Sequence, residues 1–223
     1  QMLAQASSVT LIDHHKTAFE AYNFDPAMSI HLMVPSLNWE AILDPNKSGC
    51  VLAWEHFHPN TEVPALLRYI EDRDLWRFKL AGTREIQALV FSYEYSFELW
   101  DKLMSADQVE LLKMTAAGAA IERKHHKDVA ELVKVCRRRM VIGAYDVPVA
   151  SLPYTLVSDA AHLMAQGEPF AACYCDTAEG RVFGLRATDE GVDVSDVAKL
   201  YGGGGHAKAA GFKVPRGHVL AVA

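Results

Sequence analysis

The chain has 223 residues, 50% of them hydrophobic and 22% charged, with a formal net charge of −6. That length suits one large domain or two small ones, and the composition is that of an ordinary globular protein. An acidic chain does not hold long duplex DNA by charge alone, so any nucleic-acid contact is expected to be short and local. Four cysteines, Cys50, Cys136, Cys173 and Cys175, form no Cys-x-x-Cys pair. Cys173 and Cys175 lie two apart in the apolar run Phe170 to Cys175, so both are read as one face of a core strand. This usage suits a reducing cytoplasm. No apolar run approaches the length of a membrane span. Gln1 to Ser8 reads as the end of a helix running into a strand, as if residues were missing upstream.

Val9 to Ile12 is an apolar strand that stops at Asp13-His14-His15. A buried strand ending in polar groups is where α/β proteins place ligands. Ile30 to Val34 is a second strand. Ser48 opens a helix to about Phe57 as its N-cap. Pro64 opens another to Arg73, and Thr83 caps a third over 84–93. Asp107 to Met140 is the longest helical stretch, with apolar residues recurring every three or four positions and a charged middle. Its pair His125-His126 points to different faces and reads as solvated surface.

After Met140 the pattern changes to short strands at 140–142, 147–152, 170–175, 181–186 and 211–214. Helices interrupt them at 158–166, closed by Gly167, and at 195–201, with Ser195 as N-cap. The expected organisation is residues 1–106 as a first α/β domain, 107–139 as a connecting helix, and 140–223 as a second, smaller α/β domain.

Three segments carry candidate chemistry. In Asp13-His14-His15, imidazole suits manganese, cobalt or zinc, and a neighbouring carboxylate can bind the metal or fix the imidazole tautomer. Two adjacent histidines face one point only if the strand turns there. The triplet alone equally describes a polar turn. In Tyr201-Gly-Gly-Gly-Gly-His206, four glycines leave bare amides that can form an anion-binding loop, with His206 placed to donate to phosphate. In Glu71-Asp72-Arg73-Asp74, the two aspartates lie two apart at a helix end, so at most one reaches a shared metal, and spacing alone equally fits surface charge.

This order of motifs, Asp-His-His after an apolar strand, an Asp-rich segment some sixty residues on, and a glycine-rich segment ending in His, resembles the DHH phosphoesterases that carry the DHH-associated C-terminal domain. That group includes RecJ exonucleases, oligoribonucleases and cyclic-dinucleotide phosphodiesterases. The resemblance implies a parallel-sheet first domain and a smaller mixed-sheet second domain joined by a long helix. It implies His14 as a metal ligand, Asp13 supporting it or reaching the metal, and His15 contacting the scissile phosphate. Asp74 looks like the later metal ligand, with Asp72 the alternative. Arg186, in Gly-Leu-Arg-Ala-Thr, looks like the substrate-gripping arginine, and Gly203, Gly204, Gly205 and His206 like its phosphate loop. Ser48-Gly49 would present helix amides to an anion. The family places an Asp-x-Asp strand and another metal aspartate before the triplet, and the first thirteen residues hold no acid besides Asp13. Some ligands of a two-ion manganese site are thus expected upstream of residue 1.

The implied function is metal-dependent hydrolysis of short oligonucleotides by a cytoplasmic enzyme, with a homodimer as one possible assembly. Cyclic-dinucleotide or small-nucleotide phosphatase activity, or nucleotide binding without catalysis, stay open. Tyr93, Tyr95, Phe97 and Trp100 are candidates for a base-stacking platform, although their spacing fits helix packing better.

Overall fold

The structure, a computed structural model, describes residues 6–222. The reading of Gln1 to Ser8 falls largely on residues outside these. The chain divides into two compact units, Gln1–Arg123 and Lys124–Ala223. A 29-residue helix, α6 (Gln108–Cys136), runs through the division. No helix among the described residues is long and apolar enough to cross a membrane.

The first unit holds a three-stranded sheet in the order β1 (Val9–Asp13), β3 (Trp39–Leu43), β2 (Ile30–Val34). The β1–β3 pair is parallel, and β2 adds an antiparallel edge to β3. A 3-10 turn, Pro35–Leu37, joins β2 to β3, closed by Asn38 in the left-handed region (φ 47°), which Asn tolerates better than most residues. Strand β3 was not expected, because Glu40 interrupts its apolar run. Glu40 stays on the sheet by receiving His31 Nε2 at 2.8 Å.

Five helices follow within this unit: α1 (Lys16–Ala21), α2 (Gly49–Phe57), α3 (Ala65–Asp74), α4 (Thr83–Val90) and α5 (Phe97–Met104). Ser48 caps α2 as expected, its side chain accepting from Val51 N. The expected Thr83 cap is corrected: Gly82 occupies that position at φ 89°, and Thr83 begins the helix. The Thr83 hydroxyl instead donates to Asp72 Oδ2 at 2.6 Å. Leu66, Ile86, Val90, Leu103, Leu111 and Met114 form the core where α3, α4, α5 and the start of α6 meet. There α6 approaches α4 closely. A Cβ on Gly118 would lie 1.8 Å from the Glu85 carbonyl oxygen. Gly118→Ala is therefore expected to force the helices apart and lower stability by about 2 kcal/mol or more, read as a fall in melting temperature. An unchanged Tm would show that the contact relaxes freely.

The second unit is built on a six-stranded sheet. Its order is β4 (Arg138–Ile142), β5 (Tyr145–Ser151), β6 (Ala171–Thr177), β7 (Gly180–Arg186), β9 (Ala209–Val214), β8 (Gly204–His206). Only β5 and β6 pair in parallel, and α7 (Val157–Met164) connects them. Period-two alternation makes both faces apolar. One face packs Val147, Val149, Phe183, Leu185 and Phe212 against α8 (Val194–Lys199). The other packs Ala150, Ala171 and Cys173 against α7 and the end of α6, through Val129 and Val133. Cys173 is fully buried, which pushes its thiol up to about 12 and makes it inert packing. The expected Ser195 cap is also corrected: Asp193 caps α8, and the buried Ser195 hydroxyl donates to it at 2.5 Å. His125 is not plain solvated surface, since its Nε2 lies 2.9 Å from Asp159 Oδ2 on α7.

Candidate functional site

Strand β1 ends at Asp13, and the chain turns at once, with His15 at the N-cap of α1. This turn lets adjacent histidines serve one region, their ring centroids 4.5 Å apart. The Asp13 carboxylate folds back over it. Its Oδ1 accepts from the His14 amide at 2.6 Å and the His15 amide at 3.0 Å, and lies 2.7 Å from His15 Nδ1. Burial raises the Asp13 pKa, but hydrogen bonds from the His15 amide, the His15 ring and the His14 amide outweigh it and hold the carboxyl below its ordinary value. Nδ1 is turned to Asp13, and the His15 side chain is 48% exposed.

His14 is the buried member, 6% exposed, and its Nε2 lies 3.4 Å from Asp74 Oδ2 at the end of α3. Burial pushes the His14 imidazole down against the opposing pull of the Asp74 carboxylate, favouring the neutral ring that binds metals. The 3.4 Å separation exceeds the roughly 2.7–2.9 Å of a tight charge-assisted hydrogen bond. Two donors sharing one ion through bonds of about 2.0–2.2 Å are spaced in this way. One buried neutral imidazole facing a half-exposed carboxylate is a donor set that manganese, cobalt or zinc accepts, so these residues fit such an ion.

The two candidate aspartates separate cleanly. Asp72 is 5% exposed. Its carboxylate accepts from the Lys79 amide at 2.9 Å, the Leu80 amide at 3.0 Å and the Thr83 hydroxyl at 2.6 Å. It organises the turn between α3 and α4, and only Asp74 faces His14. Of the Ser48-Gly49 amides expected to face an anion, that of Ser48 is already engaged. Ser48 is 1% exposed, and its amide donates to Glu71 Oε2 at 2.9 Å, so a protein carboxylate takes that donor. Gly49 still adjoins the site, since a Cβ there would stand 3.9 Å from the His14 ring.

In the second unit the glycine segment is not an open loop. Gly204–His206 forms the edge strand β8, paired with β9. Its glycines serve close approach as much as freedom: a Cβ on Gly203 would sit 2.1 Å from the Gly211 carbonyl oxygen. Register then makes a pattern that the sequence did not reveal. Arg186 pairs with Ala209, and Ala209 pairs with His206, so the three form one row across β7, β9 and β8 on a common face. The adjoining row, Gly184–Gly211–Gly204, has no side chains. At Gly184 this row is already covered, since a Cβ there would lie 2.4 Å from Val157 Cγ1 at the start of α7, so that glycine serves packing. Arg186 Nη2 donates to Ser158 Oγ at 2.7 Å, which fixes the guanidinium's direction.

The proposed aromatic segment behaves differently from amphipathic packing. Tyr93, Tyr95 and Phe97 are 43%, 56% and 87% exposed, and of the four only Trp100 packs against the core.

No family model matches the chain. It is similar to the uncharacterized protein R106 of Acanthamoeba polyphaga mimivirus, 26% identical over 222 residues. That match takes in 95% of this chain and 49% of the viral protein, so the chain spans about half the length of the curated relative it matches. Among solved structures it resembles the DHH domain of a member of the S1p family of ribosomal proteins, with a TM-score of 0.52 and 14% identity over 96% of this chain and 62% of that one. It also matches a pGpG-specific phosphodiesterase of Vibrio cholerae at a TM-score of 0.46 and 17% identity, over 78% of this chain and 69% of that one. The fold is that of a DHH domain.

Proposed function

We propose that the protein is a divalent-metal-dependent phosphoesterase that hydrolyses short oligonucleotides. The observation that carries this reading is the pairing of buried His14 with Asp74 beside the Asp13–His15 pair, on a DHH-type fold. Manganese held by His14 and Asp74 would supply Lewis acidity and lower the pKa of a bound water. Asp13 holds the His15 ring through Nδ1, and His15 Nε2 would donate to a phosphoryl oxygen as charge develops there. Water oxygen adds to phosphorus, the P–O bond to the leaving nucleoside breaks, and the water's proton is returned to the departing oxygen. In the second unit Arg186 and His206, in one row across β7, β9 and β8, would donate to the phosphates of the nucleotide. The net charge of −6 is in keeping with short substrates.

The test is hydrolysis of a labelled five-nucleotide RNA by the full-length gene product with manganese, beside His14→Ala. Stepwise release of mononucleotides that is lost in the variant is the expected outcome. Intact RNA with the wild type in manganese would refute the oligonucleotide reading, and equal cleavage by the variant would remove His14 from the site.

A further inference from the structure

The loop between β3 and α2 connects the two sides of the candidate metal centre. At one end the Asp44 amide donates to the Asp13 carbonyl oxygen at 3.3 Å, joining the loop to the strand end that carries His14. Asp44 Oδ1 then accepts from the Asn46 amide at 2.9 Å, which folds the loop into a compact turn. At the other end two side chains reach in from the α3 end that carries Asp74. Glu71 Oε2 accepts from the Ser48 amide at 2.9 Å, and Arg77 Nη2 donates to the Asn46 carbonyl oxygen at 2.6 Å. Arg77 Nη1 also lies 3.7 Å from Glu71 Oε1, so the two side chains brace each other. The path from Asp13 through the loop to Glu71 closes on itself where His14 meets Asp74 at 3.4 Å.

From this closed circuit we infer that Glu71 is a positioning residue that sets the His14–Asp74 separation, with Arg77 as its brace. This rests on the proposed metal reading of those two residues. Glu71 does not itself need to touch the metal. Its carboxylate is engaged by the Ser48 amide, so it acts by holding α2 and the loop against the end of α3. Without it the loop loses its charged anchor, and Asp74, on the last turn of α3, is no longer fixed opposite His14. Groups that orient metal ligands typically change metal affinity by about 10–100-fold when removed. A glutamine keeps an acceptor oxygen for the Ser48 amide, so Glu71→Gln should retain most of the effect.

The experiment measures manganese affinity by electron paramagnetic resonance on the full-length protein, with thermal melting of each variant as a check of folding. Glu71→Ala is expected to bind manganese about 10–100-fold more weakly than wild type, and Glu71→Gln within about threefold of it. Arg77→Met removes the bond to Asn46 from a side chain 36% exposed, and should weaken binding in the same direction if Glu71→Ala fails to fold. Wild-type affinity in folded Glu71→Ala or, should that not fold, in Arg77→Met would overturn the positioning role and leave the metal reading intact. Absence of manganese binding by the wild type would instead overturn the functional reading on which the inference stands.

Discussion

Asp72→Ala is expected to destabilise the first unit by about 3 kcal/mol, the scale for removing a buried charged acceptor and stranding its donors. Three hydrogen bonds are lost together, from the Lys79 and Leu80 amides and from the Thr83 hydroxyl, which keeps the Leu80 carbonyl oxygen at 3.0 Å. They are the bonds that fold the chain from α3 into α4, so the loss falls on the packing of Leu66 against Ile86 and Val90. Thr83→Val deletes one of the three and should cost about 1 to 1.5 kcal/mol. The same residue gives a pH dependence with a definite sign. Burial pushes the Asp72 pKa up, but the Thr83, Lys79 and Leu80 hydrogen bonds outweigh it and hold the carboxyl below its ordinary value. The folded state therefore binds this proton less readily than the unfolded chain. Its contribution is fully present above the unfolded value of about 3.9 and is lost as the pH falls through the lower folded value. Acid unfolding of Asp72→Ala should be correspondingly shallower below about pH 4. Chemical denaturation at neutral pH checks the first effect, and an unmoved midpoint would contradict it.

Asp74→Ala should do the opposite. The Asp74 side chain is 45% exposed at the end of α3, so its loss should leave the melting temperature nearly unchanged. Manganese affinity and RNA hydrolysis, however, should fall by more than the roughly 10–100-fold that removal of a group merely supporting a ligand costs. Two aspartates two residues apart are thus expected to divide, Asp72 serving folding and Asp74 the proposed metal site. A variant pair with these roles exchanged would contradict the account.

Much of this was legible in the sequence where periodicity was strong. Strand β1, the capped start of α2, the long α6 and most strands of the second sheet lie close to where alternation and cap residues place them. The misses share a physical cause, in that the deciding contact lies far away in sequence. An N-cap serine looks the same whether its amide faces an anion or Glu71, twenty-three residues on, and only the fold shows the latter. Four glycines advertise conformational freedom, but not that Gly203 must pass beneath the Gly211 carbonyl. Asp72 and Asp74 are equivalent as letters, and the end of α3 together with the turn to Thr83 separates them. The row Arg186–Ala209–His206 depends on strand register, which composition does not encode.

The most direct measurement is the rate of cleavage of the five-nucleotide RNA by the full-length protein as manganese is titrated into metal-free samples of wild type and Asp74→Ala. The account predicts cleavage that rises with manganese and saturates in the wild type, and a variant that stays folded but is nearly inactive across the same range. Metal-independent cleavage, or a variant that matches the wild type at every manganese concentration, would contradict it.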